Sequence, residues 1–127
     1  MDRKPKILIV DDDVDFVEAT SAILKSKPYE VIVAFNGQEG LEKARKDKPD
    51  LVLLDLLMPV MDGWNVADHF KKDPVLSKIQ VLALTSFSDS LGQPFEFDVS
   101  EQLNKPIKPK ELLDAVEKYL KRIGFKA

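Results

Sequence analysis

Two four-residue runs, Ile7-Leu8-Ile9-Val10 and Leu51-Val52-Leu53-Leu54, are apolar at every position, and each runs straight into aspartate. A strand with one face in water alternates apolar and polar residues, so a run with no polar position calls for cover on both faces. Further short apolar runs lie near residues 31–35, 79–84 and, weakly, 99–103, with helix-like periodicity between most of them. That pattern reads as βα repeated five times, a parallel α/β sheet sandwiched by helices.

The helices carry recognisable ends. Asp13 can cap the first, whose Phe16, Val17, Ile23 and Leu24 recur at core spacing. Asn36-Gly37 precedes a second helix with Leu41 and Ala44, which Pro49 stops. Asp62-Gly63 opens a third, with Val66, Ala67 and Phe70 facing inward. The last has Pro109 in its first turn, an apolar stripe of Leu112, Leu113, Val116, Tyr119, Leu120 and Ile123, and Gly124 at its end. Between Ser86 and Gln102, Gly92 and Pro94 interrupt the place where a fourth helix is due, so that helix is expected to be short or irregular.

A chain of 127 residues is one ordinary domain, and residues 1–127 are expected to form it alone, with no output domain after the last helix. A net charge of -3 supplies no basic field for nucleic acid. With no cysteine there is neither a disulfide framework nor a thiolate site, which suits a cytoplasmic protein. The Arg3, Lys4 and Lys6 segment leads into only four apolar residues, so neither a signal peptide nor a membrane span is expected.

In an open parallel sheet, ligands bind beyond the carboxyl ends of the strands. Asp11 and Asp12 follow strand one, Asp55 strand three, Thr85 strand four and Lys105 strand five, so all five converge on one mouth. Two carboxylates about 5 Å apart repel by roughly 3 kcal/mol at an effective dielectric of about 20, and a hard divalent ion relieves that repulsion. Mg2+ (or Mn2+) shared with a phosphoryl group, Asp55 as nucleophile, and Thr85 with Lys105 on the remaining phosphoryl oxygens form a set suited to phosphoryl transfer. Taken singly, Asp11 to Asp13 would read as caps and Asp62-Gly63 as a turn; the joint placement at strand ends is what favours a site. Asp13 is read as a cap and Asp62 as a residue that orders its loop. His69, beside Asp68, Lys71 and Lys72, is read as a solvated surface residue, so a donor histidine must come from another protein.

The chain resembles a response-regulator receiver domain of the CheY type. The resemblance is carried by Ile9-Val10-Asp11-Asp12-Asp13, Asp55-Leu56-Leu57-Met58-Pro59 with Met61-Asp62-Gly63, Leu84-Thr85-Ser86 and Lys105-Pro106. It implies a flavodoxin-like doubly wound sheet in the order 2-1-3-4-5 with five helices. It further implies that Asp55 accepts a phosphoryl group and that Asp12, Asp55 and the Leu57 carbonyl ligate Mg2+, with Asp11 acting mostly through water. Thr85 and Lys105 would contact the phosphoryl group, and the Lys105-Pro106 bond would be cis. The implied donors are a sensor histidine kinase or a histidine phosphotransfer protein. Such a domain catalyses its own phosphorylation and dephosphorylation but serves mainly in signalling, through a downstream protein whose binding it switches.

The chain departs from the pattern where receivers carry an aromatic three residues before the lysine, since Gln102 stands there. Leu57 and Phe87, two residues beyond Asp55 and Thr85, are both apolar and are expected to limit water access to an acyl phosphate. The alternative to phosphotransfer is a phosphorylation-independent interaction module of the same fold. A flavodoxin is disfavoured because Asp11-Asp12-Asp13 replaces its phosphate loop, and a haloacid-dehalogenase-type phosphatase because Leu57 replaces its second acid.

Overall fold

A computed structural model describes residues 3–55, 63–85 and 101–125. Five strands, β1 (Lys6–Val10), β2 (Glu30–Ala34), β3 (Leu51–Asp55), β4 (Gln80–Thr85) and β5 (Glu101–Asn104), form one parallel sheet. Its order is β2-β1-β3-β4-β5, as the resemblance implies. Among the described residues there are four α-helices, α1 (Val14–Lys25), α2 (Gly37–Asp47), α3 (Gly63–Lys72) and α4 (Pro109–Arg122), and a 3-10 turn at Leu76–Lys78. The irregular helix expected between Ser86 and Gln102 falls almost wholly outside the described residues. None of the described helices is long and apolar enough to cross a membrane.

The all-apolar runs behave as their composition requires. Side chains alternate across a strand, so Ile7, Ile9, Leu51, Leu53, Leu82 and Leu84 face one way, into a core shared with α1 and α4. Leu8, Val10, Val52, Leu54 and Val81 face the other way, into a core shared with α2 and α3. Both layers are closed, and β3 is buried from end to end.

Local chemistry sets the helix ends. The Asp13 carboxylate accepts from the Phe16 backbone N–H at the start of α1, and Asn36 does the same for Glu39 in α2. Gly40 lets α2 lie directly on β1, since a Cβ there would stand 2.9 Å from both methyl carbons of Val10, the residue before Asp11. Lys43 donates to the Val33 carbonyl at 2.6 Å, covering part of the open edge of β2. Asp73 accepts from the backbone N–H groups of Val75 and Leu76, which folds the unexpected 3-10 turn and buries Leu76.

Of the four residues of β5, only Leu103 is buried. The strand's Glu101 accepts from Lys118 Nζ at 3.0 Å and Tyr119 Oη at 2.9 Å, so polar bonds to α4 hold the strand that leads into Lys105.

Candidate functional site

Strand register brings the acids together. Val10 pairs with Leu54, Asp55 with Leu84, and Thr85 with Asn104, so the ends of β1, β3, β4 and β5 lie side by side. The site falls at the carboxyl ends of β1 and β3, where the chain order of the sheet reverses, the position at which open parallel sheets bind ligands.

Asp11, Asp12 and Asp55 each offer a carboxylate oxygen, and these oxygens all lie within 4.8 Å of one another. Asp11 is wholly buried, Asp55 is 4% exposed, and Asp12 is open to solvent. One Asp11 oxygen accepts from the Asp13 backbone N–H at 2.9 Å, and the other accepts from Lys105 Nζ at 2.6 Å. The same ammonium stands 3.7 Å from Asp55. Lys105 joins Pro106 through a cis peptide bond, as expected.

The charges do not balance. Among the described residues the three carboxylates gather around one ammonium, which pairs with Asp11 and Asp55, and at the observed spacing each pair of acids repels by about 3 kcal/mol at an effective dielectric of about 20. Opposite oxygens around a single Mg2+ are about 4 Å apart, so this cluster is of the size such an ion spans. The donors are all hard oxygens, which fits Mg2+ or Mn2+ better than a softer metal.

Of the residues expected at the site, Asp11, Asp12, Asp55 and Lys105 meet. Thr85 ends β4, paired with Asn104 of β5. Leu57, Asp62 and Phe87 lie outside the described residues. Asp13 caps α1, as expected, and His69 is exposed. Gln102 donates to the Asn104 side chain at 3.3 Å on its own strand. One member of the site escaped the sequence reading: the Phe16 ring centroid lies 4.3 Å from Lys105 Nζ. Its place in the first turn of a helix that starts at the acidic cluster was the available signal.

The family model described as response regulator receiver domain matches residues 7–117. The chain therefore belongs to the response regulator receiver domain family, and with it to two-component signalling. Relatives include the alkaline phosphatase synthesis transcriptional regulatory protein PhoP of Bacillus subtilis, 34% identical over 119 residues, covering 92% of this chain and 49% of PhoP. The DNA-binding response regulator MtrA of Mycolicibacterium paratuberculosis is 33% identical over 121 residues, covering 94% of this chain and 52% of MtrA. The chain thus spans about half the length of these curated relatives.

Among solved structures, the chemotaxis protein CheY4 of Vibrio cholerae has 27% identity and a TM-score of 0.80, covering 91% of this chain and 98% of CheY4. The receiver domain of a signal transduction histidine kinase from Syntrophus aciditrophicus has 30% identity and a TM-score of 0.88, covering 97% of this chain and 95% of that one. Receiver domains generally hold Mg2+ at an acidic site, and this chain has an aspartate cluster of that kind.

Proposed function

We propose that the chain accepts a phosphoryl group on Asp55 from a phosphohistidine of a sensor histidine kinase or histidine phosphotransfer protein, and that the phosphorylated form changes its choice of downstream partner. The observation that carries this reading is the gathering of three carboxylate oxygens within 4.8 Å of one another beneath the Lys105 ammonium. An interaction module needing shape alone gains nothing from three mutually repelling acids.

Asp12, Asp55 and the Leu57 carbonyl would hold Mg2+, with Asp11 reaching it mostly through water. When bound, the ion neutralises the acids and polarises the phosphoryl oxygens. An Asp55 oxygen attacks phosphorus; the new O–P bond forms as the P–N bond breaks, and the imidazole nitrogen keeps the bonding pair. Lys105 needs only to turn from Asp11 to reach a phosphoryl oxygen on Asp55, and Thr85, at the end of the adjacent strand, would donate to another. The product carries about -1.5 to -2 in charge and three acceptor oxygens, a differential contact able to shift a two-state loop equilibrium.

The domain would act in the cytoplasm and would not bind nucleic acid by itself, given a net charge of -3. The DNA binding in the name of MtrA belongs to a protein about twice this length.

Intact-mass measurement after acetyl phosphate and Mg2+ tests the reading. Wild type is expected to gain one phosphoryl group, acetate leaving with the bonding pair, and Asp55→Asn to gain none. An unchanged wild-type mass would favour the phosphorylation-independent module, which draws support from Gln102 in the place of the usual aromatic.

A further inference from the structure

Lys105 is held on three sides. Asp11 accepts from its ammonium at 2.6 Å, Asp55 stands at 3.7 Å, and the face of Phe16 lies 4.3 Å from Nζ to ring centroid. The ring is half-buried, with one side packed against the core under α1. The contacts close into a circuit. Asp11 accepts from the Asp13 backbone N–H, Asp13 accepts from the Phe16 backbone N–H, the Phe16 ring faces Lys105, and Lys105 returns to Asp11. The acid that caps α1 therefore also sets where the aromatic ring meets the ammonium.

Each alternative at position 16 would serve Lys105 less well. A further acid would add a negative charge to a mouth that already has three. An alkyl chain would fill space and leave the ammonium, on its long flexible stem, without an electrostatic hold on that side. A ring face attracts a cation without adding charge, and it does so broadly rather than along one bond direction. The ammonium can then leave the Asp11 oxygen for a phosphoryl oxygen while still resting on the ring.

We propose that Phe16 is a positioning residue for phosphoryl transfer, holding the Lys105 ammonium over the acidic mouth as it passes from Asp11 to the incoming phosphoryl group. The proposal rests on the reading of the site given above. It also makes an independent claim, that the ring meets the ammonium in the metal-free, unphosphorylated protein.

The test compares wild type, Phe16→Leu and Phe16→Tyr, with urea unfolding to confirm that all three are folded. Leucine keeps bulk and helix propensity but has no π face; tyrosine keeps the face. In the metal-free protein, the ring current should place the Lys105 Hε protons upfield in wild type and Phe16→Tyr, and leave them at the ordinary lysine position in Phe16→Leu. With saturating Mg2+ and acetyl phosphate, Phe16→Leu should be phosphorylated about three- to tenfold more slowly, and tyrosine should restore the rate. A Phe16→Leu rate equal to wild type, a tyrosine variant as slow as leucine, or unshifted wild-type Hε protons would each overturn the role of Phe16 alone. A wild type that takes up no phosphoryl group would overturn the reading of the whole site, and this proposal with it, even if the Hε shift is present.

Discussion

At the amino end of the sheet Asp50 is fully partnered: Arg3 donates to its two oxygens at 2.8 and 2.5 Å, and the Lys6 backbone N–H donates at 2.8 Å. At the carboxyl end three aspartates cluster, two of them buried, and among the described residues one ammonium, that of Lys105, pairs with Asp11 and Asp55. Burial pushes the Asp50 carboxyl upward, but the bonds from Arg3 and Lys6 and their charges outweigh it and hold the carboxyl below the usual aspartate range. The contrast separates two uses of the same residue type. Asp50 ties the N-terminal segment to the start of β3, whereas the upper cluster keeps an excess of negative charge that only a further cation balances.

Substitutions at the two ends should therefore act on different properties. Lys105→Met should have the largest effect, slowing phosphorylation by acetyl phosphate on the order of a hundredfold, as loss of one preorganised donor to a developing charge does elsewhere. A stopped-flow or quenched-mass time course measures it, and a rate within twofold of wild type would remove Lys105 from the chemistry. Asp12→Asn comes next. It should weaken Mg2+ binding in a calorimetric titration and yet stabilise the metal-free protein by about 1 kcal/mol, since it removes one repelling charge from an exposed position. Destabilisation in urea would mean that the cluster is not frustrated.

Asp50→Asn should have the smallest effect on function. It should leave Mg2+ affinity and phosphorylation unchanged and cost about 1 kcal/mol of stability at pH 7. Because the folded carboxyl sits below its unfolded value of about 3.9, its contribution is present above that pH and is lost as pH falls through the lower folded value. Urea midpoints from pH 6 to pH 2 should thus fall less steeply in Asp50→Asn than in wild type. Parallel curves would contradict the assignment.

What could be read from the sequence follows a similar division. Strands β1 and β3 were evident because burial on both faces leaves no polar position, and the acids after them followed directly from those boundaries. Strand β5 was barely visible: Glu101, Gln102 and Asn104 are polar, and pairing with β4 and the bonds from Lys118 and Tyr119 define it instead. No local pattern announces such long-range partners. The same holds for Arg3 with Asp50, which are 47 residues apart, and for Phe16 with Lys105, where the helical stripe marks Phe16 as core and the ring also meets the ammonium. Periodicity reports which face a side chain occupies, and it cannot report what meets that face from another part of the chain.

The account stands most directly on whether the carboxyl-end cluster is completed by a divalent cation. Urea unfolding with and without Mg2+ measures this. Wild type and Asp50→Asn should both gain about 2.7 kcal/mol when Mg2+ is at a hundred times its dissociation constant, while Asp12→Asn and Asp55→Asn should gain far less at the same concentration. No Mg2+-dependent gain in wild type, or equal gains in all four proteins, would contradict it.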